Sequence, residues 1–540
     1  MLKNKGVRCL ALALSGALAA LPVCFSAISL AVFFSFIPML YLLFSEFLDE
    51  GARFRPSHYY GVGLLVLIPY FIVAFHWFAY LYPLDFVDSM TPVAALAIVA
   101  LACVGLPFLQ ALGFAFLFWI LARIARRGTV RRYPILLPFL FAAFWSLFAF
   151  TQTLTWAGVP WGAQLALALY EVPFLLAPAS LFGSYFVTFL IAAVNACIAY
   201  ALLMLKQGKK HCVRRGAFAA LCLVFVHLSL SLIGYCMPVS VGESVKVAVL
   251  QGNVPSTEKW DASTDCIGIY GDLAREAAKD GAKIMVWPET AVPTYLMTYP
   301  NINRVKGIAK ETSAIQIVGT YAFDGKSGSA VRYNAFYLIY PDGTVDESIY
   351  YKRHLVPFGE YVPLEDFVRA VLPQLAEIEM LADGSIITPG KNPELFDTEY
   401  GKIGSLICFD TIYESLCRDS VAAGAELIAI GTNDSWFFDS AAVYMHNGQA
   451  VLRAVENGRY VMRAANTGIS SVIDPHGNIL TEIEPLVAGQ ASADVSFVTS
   501  RTLYSYIGDV FLILCQIFVL IPVAVSLLPW LKKLLAALDK

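Results

Sequence analysis

A chain of 540 residues that is 58% hydrophobic and only 15% charged, with a mean hydropathy of +0.64, is too apolar for an ordinary soluble protein, so lipid is the expected solvent for much of it. Its net charge of -3 leaves no footprint for nucleic acid, and the Lys and Arg residues fall in short clusters rather than along one face. The eleven cysteines include no Cys-x-x-Cys pair and no spacing with His that makes a zinc site, which argues against a metal centre or a disulfide scaffold, and no cofactor is expected.

A spanning helix needs about 20 predominantly apolar residues. Apolar stretches at 9–22, 24–44, 60–82, 92–122, 134–153, 174–205 and 217–237 predict a bundle of seven spans in residues 1–238, and a last run at 509–531 predicts an eighth within 506–540. Basic clusters set the orientation, because cytoplasmic loops collect Lys and Arg. These clusters are Lys3, Lys5 and Arg8; Arg123, Arg126, Arg127, Arg131 and Arg132; Lys206, Lys209, Lys210, Arg214 and Arg215; and Lys532 and Lys533. With all four inside, 154–173 and 239–505 lie outside, and the count closes only if 9–44 crosses twice as a hairpin. The basic start and apolar run also suit a signal peptide ending near Ala17 to Ala20, but the apolar pattern continues directly into the second stretch.

Residues 239–505 change character, with frequent Asp, Glu, Lys, Asn and Gly and with strand-like runs between turn signals. Strands are predicted at 245–250, 284–287, 315–320 and 403–408, and helices at 266–279 and 411–423. Two hairpins are expected, 333–340 with 345–351 around Pro341-Asp342-Gly343, and 470–473 with 479–483 around Pro475-His476-Gly477. Strands alternating with helices make this a layered α/β domain.

Three constellations within it carry chemistry. Cys408 ends the run Lys402-Ile-Gly-Ser-Leu-Ile-Cys408 and precedes a helical stretch. A thiol at a helix N-terminus has its thiolate favoured by the dipole and by free N–H groups, which also suit an oxyanion. Glu289 projects from a strand end in Val286-Trp287-Pro288-Glu289-Thr290, where a closed apolar pocket makes a carboxylate a serviceable general base. Lys352 closes a strand before His354-Leu-Val-Pro-Phe-Gly-Glu360-Tyr-Val-Pro363, so its ammonium can face developing negative charge, with Glu360 able to hold it or share its protons. Each alone has a plainer reading: a buried cysteine in the core, a capping glutamate, a surface salt bridge.

In the order Glu, Lys, Cys within one α/β domain, the set resembles the carbon–nitrogen hydrolase (nitrilase) superfamily. The phrases Gln251-Gly252-Asn253, Trp287-Pro288-Glu289-Thr290 and Thr432-Asn433-Asp434-Ser435-Trp436-Phe437 add to it, and with spans on both sides the whole chain resembles the apolipoprotein N-acyltransferase family. That resemblance implies an extracytoplasmic α-β-β-α sandwich, with Glu289 as base, Lys352 as electrostatic stabiliser and Cys408 as acyl-accepting nucleophile. It implies supporting or substrate-binding parts for Glu360, Trp260, Phe409 and Asp410, structural parts for Arg453, Glu456, Arg459, Arg463, Asn466 and Gly468, and an acyl-chain entrance near Gly158-Val159-Pro160-Trp161. It further implies a phospholipid donor, diacylglyceryl-modified lipoproteins as acceptors, and a multi-pass place in the bacterial cytoplasmic membrane with the catalytic domain periplasmic. The sequence departs from the family's pattern in carrying Phe409-Asp410 where Tyr-Glu is usual and Phe438 where Gly is common. A membrane-tethered amidase, or an inactive family member, would keep the same three residues. A transporter with an ectodomain is a third reading, weakened by the scarcity of ionisable groups in the spans apart from His76 and His227. The stretch 365–390 is a candidate lid.

Overall fold

The computed structural model describes residues 4–49, 55–84, 90–126, 128–154, 160–261, 263–324, 331–357, 359–361, 364 and 387–538. Most of the suggested lid, and Gly158 and Val159 of the suggested entrance, lie outside them. The chain divides into two compact units, residues 1–76, 100–236 and 509–540 in one and 77–99 and 237–508 in the other.

The first unit is helical. Among the described residues six helical segments are long and apolar enough to cross a membrane: Lys5–Cys24, Ser26–Phe47, Ser57–Ala74, Pro92–Ala125, Ser184–Lys206 and Lys210–Tyr235. Shorter apolar helices lie at Leu136–Thr151 and Val510–Val525. The stretch 9–44 is indeed two helices, broken at Phe25, which is extended. The predicted span at 174–205 is corrected: its first part is a short helical piece, and a break at Gly183, with φ of 83°, starts the long helix at Ser184. That left-handed backbone suits glycine and few other residues.

The second unit holds two sheets. One has the order β13-β1-β2-β4-β5-β6 with β3 beside β4, where β1 is Val241–Gln251, β2 Ile284–Val286, β3 Val292–Tyr295, β4 Ile315–Asp324, β5 Val331–Ile339, β6 Val345–Tyr351 and β13 Gly489–Val498. The other has the order β12-β11-β10-β9-β8-β7, where β7 is Leu395–Thr398, β8 Gly401–Ile407, β9 Leu427–Thr432, β10 Val461–Ala465, β11 Ser470–Ile473 and β12 Ile479–Ile483. Strands β1, β2 and β4 run parallel, as do β8, β9 and β10, and the remaining main pairings are antiparallel.

Why the sheets stack follows from their sequences. Val245, Val247, Val249, Ile315 and Ile317 from one sheet meet Ile403, Ile407, Leu427 and Met462 from the other in a shared core. The opposite face of the first sheet is apolar too, and it buries Ile267, Tyr270 and Ala274 of the helix Cys266–Lys279 and Val305 and Ile308 of the helix Asn301–Thr312. Strands covered on both faces read as continuous apolar runs, as β2 and β9 do. With Glu414–Ala422 and Ala441–Asn457 packed on the second sheet, the layering is α-β-β-α, as expected.

Both predicted hairpins form, between β5 and β6 and between β11 and β12. The helix expected over 411–423 starts later, at Glu414. Residues Cys408–Ile412 instead make a single 3-10 turn.

Candidate active site

Three strand ends of the sandwich converge. β2 delivers Trp287-Pro288-Glu289, β6 delivers Lys352, and β8 delivers Cys408. Close approach of the sheets requires Gly431 on β9: a Cβ there would overlap the Phe336 ring and lie 3.1 Å from the Glu289 backbone N. Gly431 pairs with Ile407, so Cys408, the next residue, emerges beside Glu289.

Glu289 is 6% exposed. Its Oε1 accepts from Lys352 Nζ at 2.9 Å and from Asn334 Nδ2 at 2.7 Å, and its Oε2 accepts from the Asn433 N–H at 2.9 Å. Lys352, 1% exposed, also donates to Glu360 Oε1 at 3.0 Å, while Glu360 Oε2 accepts from the Val356 N–H at 2.8 Å. One buried ammonium thus sits between two carboxylates, with Asn334 bridging the same pair. Burial works against the ammonium, but Glu289 and Glu360 outweigh it and hold the Lys352 pKa well above the ordinary lysine value.

Cys408 is half-buried and has φ of 50°, left-handed backbone that is uncommon for a residue with a side chain. Burial, reinforced by the Glu289 carboxylate, pushes its thiol well up, and Lys352 and the Thr432 hydroxyl only partly oppose this. The expectation of a dipole-stabilised thiolate is therefore corrected. A single 3-10 turn supplies little dipole, the site is desolvated, and the charge that acts on it most strongly, Glu289, has the wrong sign. These surroundings favour the thiol over the thiolate.

Asp410 is buried under that turn. Its Oδ1 accepts from the N–H groups of His354 at 2.7 Å and Arg353 at 3.1 Å, and its Oδ2 from the Tyr350 hydroxyl at 2.9 Å and the Ile407 N–H at 3.1 Å. It ties the Cys408 turn to the segment that carries Lys352. Burial raises its carboxyl to about 6 despite these donors. Phe409 packs edge-on against Tyr413. Trp260 is 48% exposed and stacks on Tyr321 at 6.0 Å, at the rim rather than among the three central residues.

Sequence reading did not single out three further residues, Asn334, Lys259 and His446. Lys259, buried beside Trp260, donates to the Glu289 carbonyl at 3.0 Å and to Thr290 Oγ1 at 2.7 Å, and burial brings its ammonium down to about 8. His446 sits with Nε2 3.2 Å from the Cys408 carbonyl and Nδ1 2.8 Å from Asp434 Oδ1, and Arg463 donates to Asp434 Oδ2 at 2.7 Å. Burial alone would raise the Asp434 carboxyl, yet His446 and Arg463 bring it down to about 2. For Asn334 the available signal was polarity in an apolar context, since it interrupts an aromatic strand, whereas His446 lies on a helix that also buries Asn447, Gln449 and Arg453 and carries no comparable signal. Arg453 pairs with Glu456 at 2.9 Å with both fully buried, and Asn466 Nδ2 donates to the Val254 carbonyl at 2.7 Å.

Comparison with known proteins adds independent findings. Residues 246–503 match the family model for carbon-nitrogen hydrolase, and 15–197 match that for the apolipoprotein N-acyltransferase N-terminal domain. The apolipoprotein N-acyltransferase of Geobacter metallireducens is 34% identical over 403 residues, 73% of this chain and 75% of the relative. That of Shewanella oneidensis is 30% identical over 509 residues, 92% of each. Among solved structures, Saccharomyces cerevisiae Nit3, a member of branch 10 of the nitrilase superfamily, is similar at 20% identity and a TM-score of 0.37, covering 48% of this chain and 93% of its own.

Proposed function

The chain belongs to the apolipoprotein N-acyltransferase family, and on that premise we propose that it moves a fatty acyl chain from a phospholipid, through a thioester on Cys408, to the α-amino group of a diacylglyceryl-cysteine lipoprotein. The observation that carries this reading is the buried Glu289–Lys352–Glu360 ion cluster set against a strained cysteine at a strand end.

In the first half-reaction Glu289 takes the Sγ proton as Cys408 attacks the ester carbonyl. Lys352 stabilises the tetrahedral oxyanion. The C–S bond forms, the ester C–O bond breaks, and the proton on Glu289 passes to the departing alkoxide, which gives a lysophospholipid. In the second, the lipoprotein amine attacks the thioester, Glu289 removes the amine proton, and that proton returns to sulfur. Because the thiol is the resting form, a base within hydrogen-bonded architecture is a requirement of the first step. Glu360 and Asn334 hold Glu289 and Lys352 in place for both.

The membrane setting has a physical cause: exposing acyl chains to water costs about 0.8 kcal/mol per CH₂, so both substrates stay in lipid and the enzyme must work there. We place the bundle in residues 1–238 and 506–540 and the catalytic domain in 239–505, on the periplasmic side of a bacterial cytoplasmic membrane, since the basic clusters at 123–132 and 206–215 lie an odd number of spans away.

Intact-mass analysis of the purified protein after exposure to phospholipid tests the reading. A single acyl adduct is expected on the wild type and none on Cys408→Ala, with transfer to a diacylglyceryl lipopeptide on addition. An adduct that survives in Cys408→Ala, or that passes to water while the lipopeptide is ignored, would overturn it; the second result would favour an amidase.

A further inference from the structure

Side chains at alternate positions of a strand share a face and stand about 6.8 Å apart along it. On β5, Phe336, Asn334 and Arg332 follow one another in this way from the core outward. Phe336 is buried between the sheets, Asn334 donates to Glu289 and Glu360, and Arg332 is the next step toward the strand's open end. Their cross-strand partners on β4 are Gly319, Tyr321 and Phe323, and Phe323 is exposed. Arg332 therefore stands one pleat repeat outside the catalytic cluster, on the catalytic face.

Its guanidinium carbon lies over the Tyr321 ring, 3.8 Å from the ring centre, and Trp260 stacks on the same ring. Among the described residues the Arg332 side chain has no carboxylate within ion-pair distance and no hydrogen-bond acceptor, and its Nε is buried and unsatisfied. Aromatic stacking fixes the plane of a guanidinium while leaving its N–H edge available for a two-pronged contact, a geometry that matches phosphate. A half-buried cation left without a counter-charge is costly. An anion arriving with the substrate removes that cost.

We propose that Arg332 binds the phosphodiester of the donor phospholipid while its ester carbonyl lies against Cys408, an assignment that rests on the phospholipid-donor reading above. In a glycerophospholipid about five or six bonds, about 6–7 Å when extended, separate an ester carbonyl from phosphorus. That span matches the step from Asn334 to Arg332. A diacylglyceryl-cysteine acceptor carries no phosphate, so the contact acts in the first half-reaction alone and distinguishes donor from acceptor.

The test compares the full-length wild type with Arg332→Gln and Arg332→Lys in mixed micelles, reading the rate of Cys408 acylation by quenched intact mass. Two donors are used below saturation, a diacyl phospholipid and the p-nitrophenyl ester of the same fatty acid. With phospholipid, Arg332→Gln is expected to be slower by about 10- to 100-fold, the size of a lost charge-assisted contact, and Arg332→Lys to fall between. The phosphate-free ester, which offers the guanidinium nothing to bind, is expected to react alike in all three proteins and so reports that fold and catalytic cluster are intact. Equal loss with both donors would mean that Arg332 acts through the charge of the cluster, and unchanged rates with phospholipid would mean that it contacts no phosphate; either overturns the proposal. Inorganic phosphate added with the phosphate-free ester is the third arm. No change is expected, and an Arg332-dependent change would assign the site to a soluble anion instead. Wild type that accepts the ester but not the phospholipid would overturn the donor reading itself, a result distinct from all of these.

Discussion

Cys408 illustrates how far a single residue can be read before folding is known. Its place at the end of an apolar run before a polar, helix-like stretch marks it as a candidate nucleophile, and Glu289 and Lys352 are marked by the same strand-end position. Its ionisation could not be read, because that depends on which charge folding puts beside it. Burial disfavours the thiolate first, and Glu289, more than 100 residues away in the chain, adds to it. Lys352 does not titrate in the working range: its raised pKa means that the charged form is fully present below the unfolded lysine value of about 10.4 and is lost only at still higher pH. Alkylation of Cys408 by iodoacetamide, followed by peptide mapping, should therefore accelerate about tenfold per pH unit from pH 7 to 9 with no plateau, as thiolate is generated from a resting thiol. A plateau already reached at pH 7 would mean a preformed thiolate and would remove the need for Glu289 as base.

At the scale of elements, apolar runs and turn signals located β1, β2, β4, β8 and both hairpins, because β-branched runs and Pro-Asp-Gly or Pro-His-Gly turns are local signals, whereas β7, β9 and β10 were not predicted although β9 is a continuous apolar run. The strands β3, of four residues, and β13, with its small and polar residues Gln490, Ser492 and Asp494, carry weak local signals and take their conformation from the partners they pair with. The 3-10 turn after β8 belongs with these. It exists because the Asp410 carboxylate collects the N–H groups of residues 407, 353 and 354 and the Tyr350 hydroxyl, and a contact between segments nearly 60 residues apart has no local signature. Asp410→Asn replaces one acceptor oxygen by an NH₂ that faces a donor, so it should cost about 1–3 kcal/mol of stability and lower the acylation rate with little change in phospholipid KM. The pH dependence has a definite sign. A carboxyl raised from 3.8 to about 6 binds its proton more tightly when folded, so stability falls as pH rises through that interval. Thermal melting should show the wild type gaining on the variant as pH drops from 6 to 4; a gap that widens toward neutral pH would contradict this account of the turn.

For the molecule as a whole, hydropathy and charge supply what a bundle of apolar helices leaves open, namely which side faces the cytoplasm. The helix Leu136–Thr151 has 16 residues, about 24 Å at 1.5 Å per residue, shorter than a hydrocarbon core of about 30 Å. By length alone it is an uncertain crossing. If the basic clusters mark one side, as proposed, Arg131 and Arg132 before it and Lys206 and Lys209 after the long helix Ser184–Lys206 require Leu136–Thr151 to cross whenever Ser184–Lys206 does, and local thinning or tilting of lipid accommodates the shorter helix at modest cost. In the proposed orientation the long helix Lys210–Tyr235 then leads the chain outward to β1. With the exposed native thiols Cys9, Cys222 and Cys236 changed to Ser, the exposed positions Lys279 and Lys209 give opposite expectations. Lys279→Cys should react with a membrane-impermeant maleimide in intact spheroplasts, whereas Lys209→Cys should react only after permeabilisation. Labelling of both without permeabilisation would mean that Lys210–Tyr235 does not cross between the two positions, and labelling of Lys209→Cys alone would invert the protein and place its thioester chemistry on the cytoplasmic face.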